Sequence, residues 1–132
     1  MPIAHGRFDV QRTPQAPIDL GGDVTGTHVR FDKTFEGPLE ARSVVHMLAV
    51  GTAVEGSAAY VAVERVAGTL DGRAGTFALA HLGLMDRGTP SLRVDVVPDS
   101  GDGALAGLRG TLAIDIRDGA HFYTLDYTLP HA

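Results

Sequence analysis

Residues 58–85 read AAYVAVERVAGTLDGRAGTFALAHLGLM and predict two long β-strands joined at Asp71-Gly72. An Asp-Gly pair readily takes the positive φ angles of a two-residue type I′ turn. Such a turn fixes the register of the two strands, so that Leu70 faces Arg73 and side chains alternate between two faces from there. The stretch therefore predicts the central hairpin of an antiparallel sheet.

One face of this hairpin combines an acid and an imidazole with bulky apolar groups. Glu64 faces Leu79 and lies one diagonal step from His81, a separation that long side chains can span. Tyr60 and Phe77 share the same face. The apolar side chains of the next strand continue it, so we expect this face to point into the protein.

The remaining segments alternate in the same way and are separated by Gly, Pro and Asp. Eight strands with a largely apolar face predict an all-β fold, an antiparallel up-and-down β-barrel of the calycin kind whose closure removes exposed edges. We expect residues 1–132 to form this single domain. The predicted strands are residues 5–12, 27–36, 39–50, 58–70, 73–85, 91–97, 109–117 and 120–129.

Composition excludes several classes of function. The chain has 132 residues, a formal charge of −5 and no cysteine, and no two Lys or Arg residues are adjacent. We therefore expect no nucleic-acid partner, no disulfide and no thiolate site. The six histidines show no paired metal-ligand spacing, so we expect no metal. The chain shows neither a signal-peptide pattern at its start nor a long apolar run, so we expect a soluble cytoplasmic protein without a membrane partner.

Glu64 and His81 are the candidate catalytic residues. A carboxyl group removed from water has a raised pKa unless a cation accompanies it, which is how general acids and bases arise. The functional interpretation is proton transfer to a bound ligand, with His81 as the base or as the group that orients Glu64. The alternative is a buried structural pair, completed by Lys33, that holds the barrel register.

The candidate ligand-binding residues are also expected to face the interior of the barrel. The hydroxyls of Tyr60, Tyr123 and Tyr127 are suited to holding a carbonyl or enolate oxygen, and Phe77 supplies apolar wall. Lys33 offers a cation for an anionic ligand or, as a lesser option, an imine-forming amine. The alternatives are that the tyrosines fill an aromatic core and that Lys33 extends harmlessly into solvent.

Three segments carry a resemblance to a known family. They are AAYVAVERVAGTLDGRAGTFALAHLGLMDRG (58–88), VVPDSGDGALAGLRGTLAIDI (96–116) and HFYTLDYTLP (121–130). The chain resembles, over residues 4–130, a family of small bacterial proteins of unknown function related to the allene-oxide-cyclase-like β-barrels. The resemblance implies an eight-stranded barrel with a central cavity that often self-associates. It supplies no reaction and no catalytic residue.

Two features concern the outside of the barrel. Residues 13–26 contain prolines and glycines and predict a long loop, either a plain connector or a flap over the barrel mouth. The outward face of the central hairpin is unusually apolar, which favours a homo-oligomer, with a dimer as the expected assembly. The alternative is that the 13–26 loop covers this face. The residues of the face are Val61, Val63, Ala67, Ala78, Ala80, Leu82 and Leu84.

Three functional hypotheses remain open. The first is a cofactor-independent isomerase, cyclase or lyase that acts on a hydrophobic small molecule by acid–base chemistry. The second is a lipocalin-like carrier that binds such a molecule without changing it. The third is a barrel filled by its own side chains, with no ligand.

Overall fold

The computed structural model describes residues 2–22 and 24–130. The predicted single domain includes Met1, Asp23, His131 and Ala132, which lie outside the described residues. Of these four, Asp23 belongs to the predicted 13–26 loop. No helix of the described ranges is long and apolar enough to cross a membrane.

The described chain forms a closed antiparallel β-barrel of eight strands with one extra strand, as the alternating pattern predicts. The strands are β1 (Ile3–Pro14), β2 (Ile18–Asp19), β3 (Thr25–Glu36), β4 (Leu39–Gly51), β5 (Ala58–Leu70), β6 (Arg73–Asp86), β7 (Thr89–Val96), β8 (Arg109–Arg117) and β9 (Ala120–Thr128). Around the barrel the order is β1-β9-β8-β7-β6-β5-β4-β3, and β1 pairs with β3 to close it, while the extra strand β2 pairs with β3.

The tight turns set the hairpin registers as predicted. Asp71 and Gly72 have φ angles of 48° and 82°, both in the left-handed region that a type I′ turn requires. Leu70 consequently pairs with Arg73, and the register continues without a slip to the far end of β5 and β6. Asp118-Gly119 acts in the same way between β8 and β9.

The prediction that residues 13–26 form one continuous loop is wrong in part. Strand β1 extends through Pro14, which pairs with Val29, because β3 begins early enough to close the barrel there. Ile18–Asp19 then forms the short strand β2 against β3. Ile18 and Leu20 line a shallow surface pocket together with Val61 of the outward apolar face.

That outward apolar face stays exposed in the single chain. Val61 and Val63 are 51% and 65% exposed, and Leu82 and Leu84 also face outward. The alternative that residues 13–26 hide this face is therefore wrong for the residues that the structure describes. Self-association through the face stays a prediction.

The barrel interior is divided into two unlike halves. The packed half lies near the Gly37-Pro38 and Asp71-Gly72 turns, and the open half lies near the Arg87-Gly88 and Asp118-Gly119 turns. The segment 97–108 closes the packed end, and its single 3₁₀ turn, Gly103–Leu105, buries a leucine. The core of the packed half consists mainly of Phe35, Leu39, Val66, Leu70, Phe77, Leu79, Val96, Leu105, Leu108, Leu112, Tyr123, Leu125 and Tyr127.

Strand pairing in the barrel wall is sparse between β7 and β8. The two strands share one pairing, Asp95 with Thr111, within the described residues. They separate toward the open half, where Ile116 of β8 faces the interior and is nevertheless 62% exposed. The open half is therefore accessible from solvent.

Candidate functional site

A buried cluster of four polar side chains lies on the inner wall, centred on Glu64 of β5. Its Oε1 lies 2.8 Å from Nε2 of His81 and accepts a hydrogen bond of 3.2 Å from Nζ of Lys33. Its Oε2 accepts a hydrogen bond of 2.6 Å from Oγ of Ser43. Glu64 is only 2% exposed, and the other three are buried as well. Both carboxylate oxygens are thus held by donors.

The strand registers bring these four residues together. Lys33 of β3 pairs with Ser43 of β4, and the neighbouring pair on β4 and β5 places Glu64 one diagonal step from Ser43. Glu64 faces Leu79 on β6, which leaves His81 one diagonal step away. The cluster therefore crosses four adjacent strands in one line, and the predicted contact between Glu64 and His81 is present.

The cluster keeps Glu64 ionised. Burial pushes the pKa of Glu64 upward, but the hydrogen bond from His81, the charge of Lys33 and the hydrogen bond from Ser43 outweigh it. The net effect is a pKa below the ordinary value of 4.5. A carboxylate accepts hydrogen bonds only, so the network assigns a proton to Nε2 of His81.

An apolar cavity of about 280 Å³ fills the open half and ends at this cluster. Lys33 and His81 reach the cavity wall, whereas Glu64 and Ser43 lie behind them. The Nζ of Lys33 also lies 4.9 Å from the ring centroid of Phe8, a cation–π distance. The cavity is lined by Phe8, Val10, Phe31, Lys33, Val45, Met47, Tyr60, Ala62, His81, Ile114, Ile116 and His121.

His81 lines this space, and its contact with Glu64 uses Nε2, which leaves the second ring nitrogen, Nδ1, for other partners. Its Nδ1 has no hydrogen-bond partner among the described side chains and main chain, and it is not sealed away from solvent. With the proton on Nε2, neutral His81 carries a lone pair on Nδ1. The ring is thus held by Glu64 through Nε2, and Nδ1 has no hydrogen-bond partner within the described structure.

Most of the chain matches a known protein family. The DUF3224 family, described as a protein of unknown function, matches residues 4–127. The chain belongs to this family. A crystal structure of a DUF3224 protein of unknown function from Shewanella oneidensis MR-1 is 48% identical, covers 98% of each chain and has a TM-score of 0.92. The search of curated proteins gave no match.

These findings confirm the resemblance to an uncharacterised family of small barrels. The predicted relation of DUF3224 to the allene-oxide-cyclase-like barrels is not tested by them and stays a prediction. The relatives share the fold and the family, and their descriptions assign no reaction.

Three predicted ligand-binding residues of this DUF3224 barrel lie away from the cavity. Tyr123 and Phe77 are buried in the packed half. The hydroxyl of Tyr123 donates to the carbonyl oxygen of Glu36 at 2.8 Å, and that of Tyr127 donates to the carboxylate of Asp71. These hydroxyls are occupied within the barrel wall, so the aromatic-core alternative describes them better than ligand binding does.

Lys33 and Tyr60 do line the cavity. Lys33 is buried and paired, so the alternative that it extends into solvent is wrong; the inward alternation of β3 carries it inside. Tyr60 is half-buried at the wall of the open half, and burial raises the pKa of its hydroxyl.

Sequence reasoning missed Ser43 and His121 as site residues. Ser43 pairs with Lys33 because β3 and β4 are offset by one residue from the register of a two-residue Gly37-Pro38 turn, which would have paired Lys33 with Arg42. His121 shares the inward face of β9 and packs its ring 5.2 Å from that of Phe8. Among residues 2–22 and 24–130, no three His, Asp or Glu side chains come together to hold a metal ion.

Proposed function

We propose that the open half of the barrel binds a small hydrophobic molecule. The observation that carries this proposal is the contrast between the two halves: one is filled by the protein's own side chains, and the other contains an apolar cavity of about 280 Å³. At roughly 30 Å³ per non-hydrogen atom, the share of liquid volume that a water takes, the cavity accommodates about nine such atoms. An eight-carbon chain with one polar group is of this size.

Binding of 1-octanol to ¹⁵N-labelled protein tests the proposal. We expect saturable shifts of the amide signals of lining residues such as Met47 and Ala62. Ala62→Phe fills the cavity and should abolish these shifts. Ala80→Phe places the same ring on the outer face and should leave them unchanged. The proposal fails if octanol gives no saturable shifts, or if the Ala62→Phe protein responds as the native protein does.

The His81–Glu64 arrangement favours a second candidate, cofactor-independent proton transfer of the isomerase, cyclase or lyase type. In this reaction Nδ1 of His81 removes a proton from a carbon next to a carbonyl group. The electron pair of that C–H bond moves onto the carbonyl oxygen, where Lys33 stabilises the enolate. Glu64 stabilises the imidazolium, and return of the proton to carbon completes the cycle.

Deuterium exchange into 2-octanone in D₂O tests this second candidate. General-base catalysis contributes about 10²–10⁴-fold, so we expect exchange clearly above the buffer rate and its loss in His81→Gln. Glu64→Gln should slow the exchange and leave octanol affinity nearly intact. Octanol binding combined with exchange at the buffer rate would support a carrier without catalysis.

A further inference from the structure

The polar end of the cavity contains unused hydrogen-bonding capacity. The ammonium group of Lys33 has three N–H donors, and one of them is used by Glu64. Its other neighbours are the faces of Phe8 and Phe35, with ring centroids at 4.9 and 5.9 Å. An ammonium group at the end of an apolar cavity is therefore open to an oxygen acceptor from a ligand.

His81 supplies a second hydrogen-bonding group in addition to the ammonium group of Lys33. Its Nδ1 has no partner within the described structure. As a neutral ring it offers a lone pair there, and as an imidazolium it offers a second N–H donor. Glu64, already ionised, lies 2.8 Å from Nε2 and orients the ring.

Charge balance connects these two groups. Without a ligand, Lys33 and Glu64 neutralise each other and His81 needs no charge. One added negative charge in this low-dielectric space would be uncompensated unless His81 took up a proton. With that proton, two cations and two anions alternate along the end of the cavity.

We propose that the ligand of this cavity is a hydrophobic carboxylate, bound by Lys33 and His81 with the uptake of one proton from solvent onto Nδ1 of His81. One carboxylate oxygen accepts from Nζ of Lys33 and the other from Nδ1 of His81. A phosphate group fits less well, because its second negative charge would have no cation. The inference rests on the proposed binding function and assigns the chemical class of its ligand.

Other titratable groups face the same space and have to be separated from His81. Glu64 and Tyr60 approach it from β5, Lys33 from β3 and His121 from β9. Burial raises the pKa of the Tyr60 hydroxyl, which therefore stays neutral at physiological pH. His121 is the other histidine that lines the cavity, so a variant of it is needed to distinguish the two rings.

Titration calorimetry with octanoate and 1-octanol tests the inference. Charge-assisted hydrogen bonds are about twice as strong as neutral ones, so we expect octanoate to bind at least about tenfold more tightly than octanol. Repeating the titration in two buffers of different ionisation enthalpy gives the number of protons taken up. We expect close to one proton for octanoate and none for octanol.

Histidine variants show which side chain takes up the proton. His81→Gln keeps a donor toward Glu64 and should reduce proton uptake to zero with weaker octanoate binding, whereas His46→Gln, on the outer face of β4, should keep both. Uptake that persists in His81→Gln and disappears in His121→Gln would assign the proton to His121 and overturn this inference. The inference is overturned if octanol binds as tightly as octanoate. It is also overturned if octanoate binds without proton uptake. Either result leaves the proposed function standing. Failure of both ligands to bind removes the proposed function itself. The measurements on the native protein decide the matter even if a variant does not fold.

Discussion

The buried pair of Lys33 and Glu64 predicts a strongly non-additive response to mutation. Nζ of Lys33 lies 3.2 Å from Oε1 of Glu64, and the two side chains are 8% and 0% exposed. Removing Lys33 leaves Glu64 with the hydrogen bonds of Ser43 and His81 but no opposite full charge. Removing Glu64 leaves the ammonium group of Lys33 without its carboxylate. Breaking a buried pair in this way costs about 3–5 kcal/mol. Lys33→Met and Glu64→Gln should therefore each destabilise the barrel by about this amount.

The double variant should recover most of the loss. Met has nearly the length of Lys without its charge. Gln preserves the volume of Glu64 and presents its carbonyl oxygen as an acceptor to one neighbour and its amide group as a donor to the other. Neither change then leaves a buried charge unpaired, and the remaining loss is that of weakened hydrogen bonds, about 1–2 kcal/mol. The summed loss of the two single variants exceeds the loss of the double variant by several kcal/mol. The coupling energy between Lys33 and Glu64 is therefore at least about 3 kcal/mol, which is the upper end of the range for residues in contact.

Urea unfolding followed by far-ultraviolet circular dichroism measures these free energies, with all four proteins compared at one pH. The Lys33→Met protein should unfold at a clearly lower urea concentration than the double variant. If the single costs are below about 1 kcal/mol each and additive, the pair behaves as an exposed salt bridge does. The reasoning from burial would then be refuted.

Four further predictions follow from other contacts. Tyr123→Phe removes a hydroxyl that bonds two main-chain groups and should cost about 1–3 kcal/mol in urea unfolding. Because the pKa of Glu64 is lowered on folding, the stability it contributes is present above about pH 4.5 and lost as pH falls further; Glu64→Gln should therefore show a shallower acid loss. Burial and the contact with Asp71 raise the pKa of Tyr127 to about 12, so its contribution should disappear as pH rises from 10 to 12, and Tyr127→Phe should remove this loss. Val63→Glu should turn a self-associating protein into a monomer in sedimentation while leaving its urea midpoint nearly unchanged; unchanged sedimentation of a native oligomer would contradict a role for this face.

Local turn chemistry explains why so much of the fold was predictable. Asp71-Gly72 and Asp118-Gly119 each determine a hairpin by themselves, because two residues with positive φ leave one register for the strands beside them. The diagonal contact between Glu64 and His81 lies within such a hairpin. It could therefore be predicted from the sequence, and the structure contains it.

Features that depend on several strands at once were harder to predict. Alternation places Tyr123 on the inner face but gives no height within the barrel, so the sequence leaves open whether its hydroxyl meets a ligand or the protein. In the structure this hydroxyl donates to the carbonyl oxygen of Glu36. The extension of β1 to Pro14 depends on the start of β3, which lies across the closure of the barrel. Ser43 completes the cluster through pairing on two sides, and only the combined registers of β3, β4 and β5 show this.

The location of the cluster argues against a purely structural role. The other ion pairs of the described residues, such as Arg93 with Asp95, lie on the outer surface, and the packed half is held by apolar groups. The Asp71-Gly72 turn already fixes the register of β5 and β6, so the contact between Glu64 and His81 is not needed for that purpose. Buried ion pairs are often replaceable by apolar residues without loss of stability.

A pair that served packing alone would be expected where the interior is densest. Here the opposite holds, because the charged groups lie where side-chain packing stops and the cavity begins. Lys33 and His81 reach the cavity wall, and Glu64 lies behind both and holds them in place. Groups that bind or react with a ligand need this placement, because desolvation strengthens their interaction with it and the carboxylate behind them fixes their orientation.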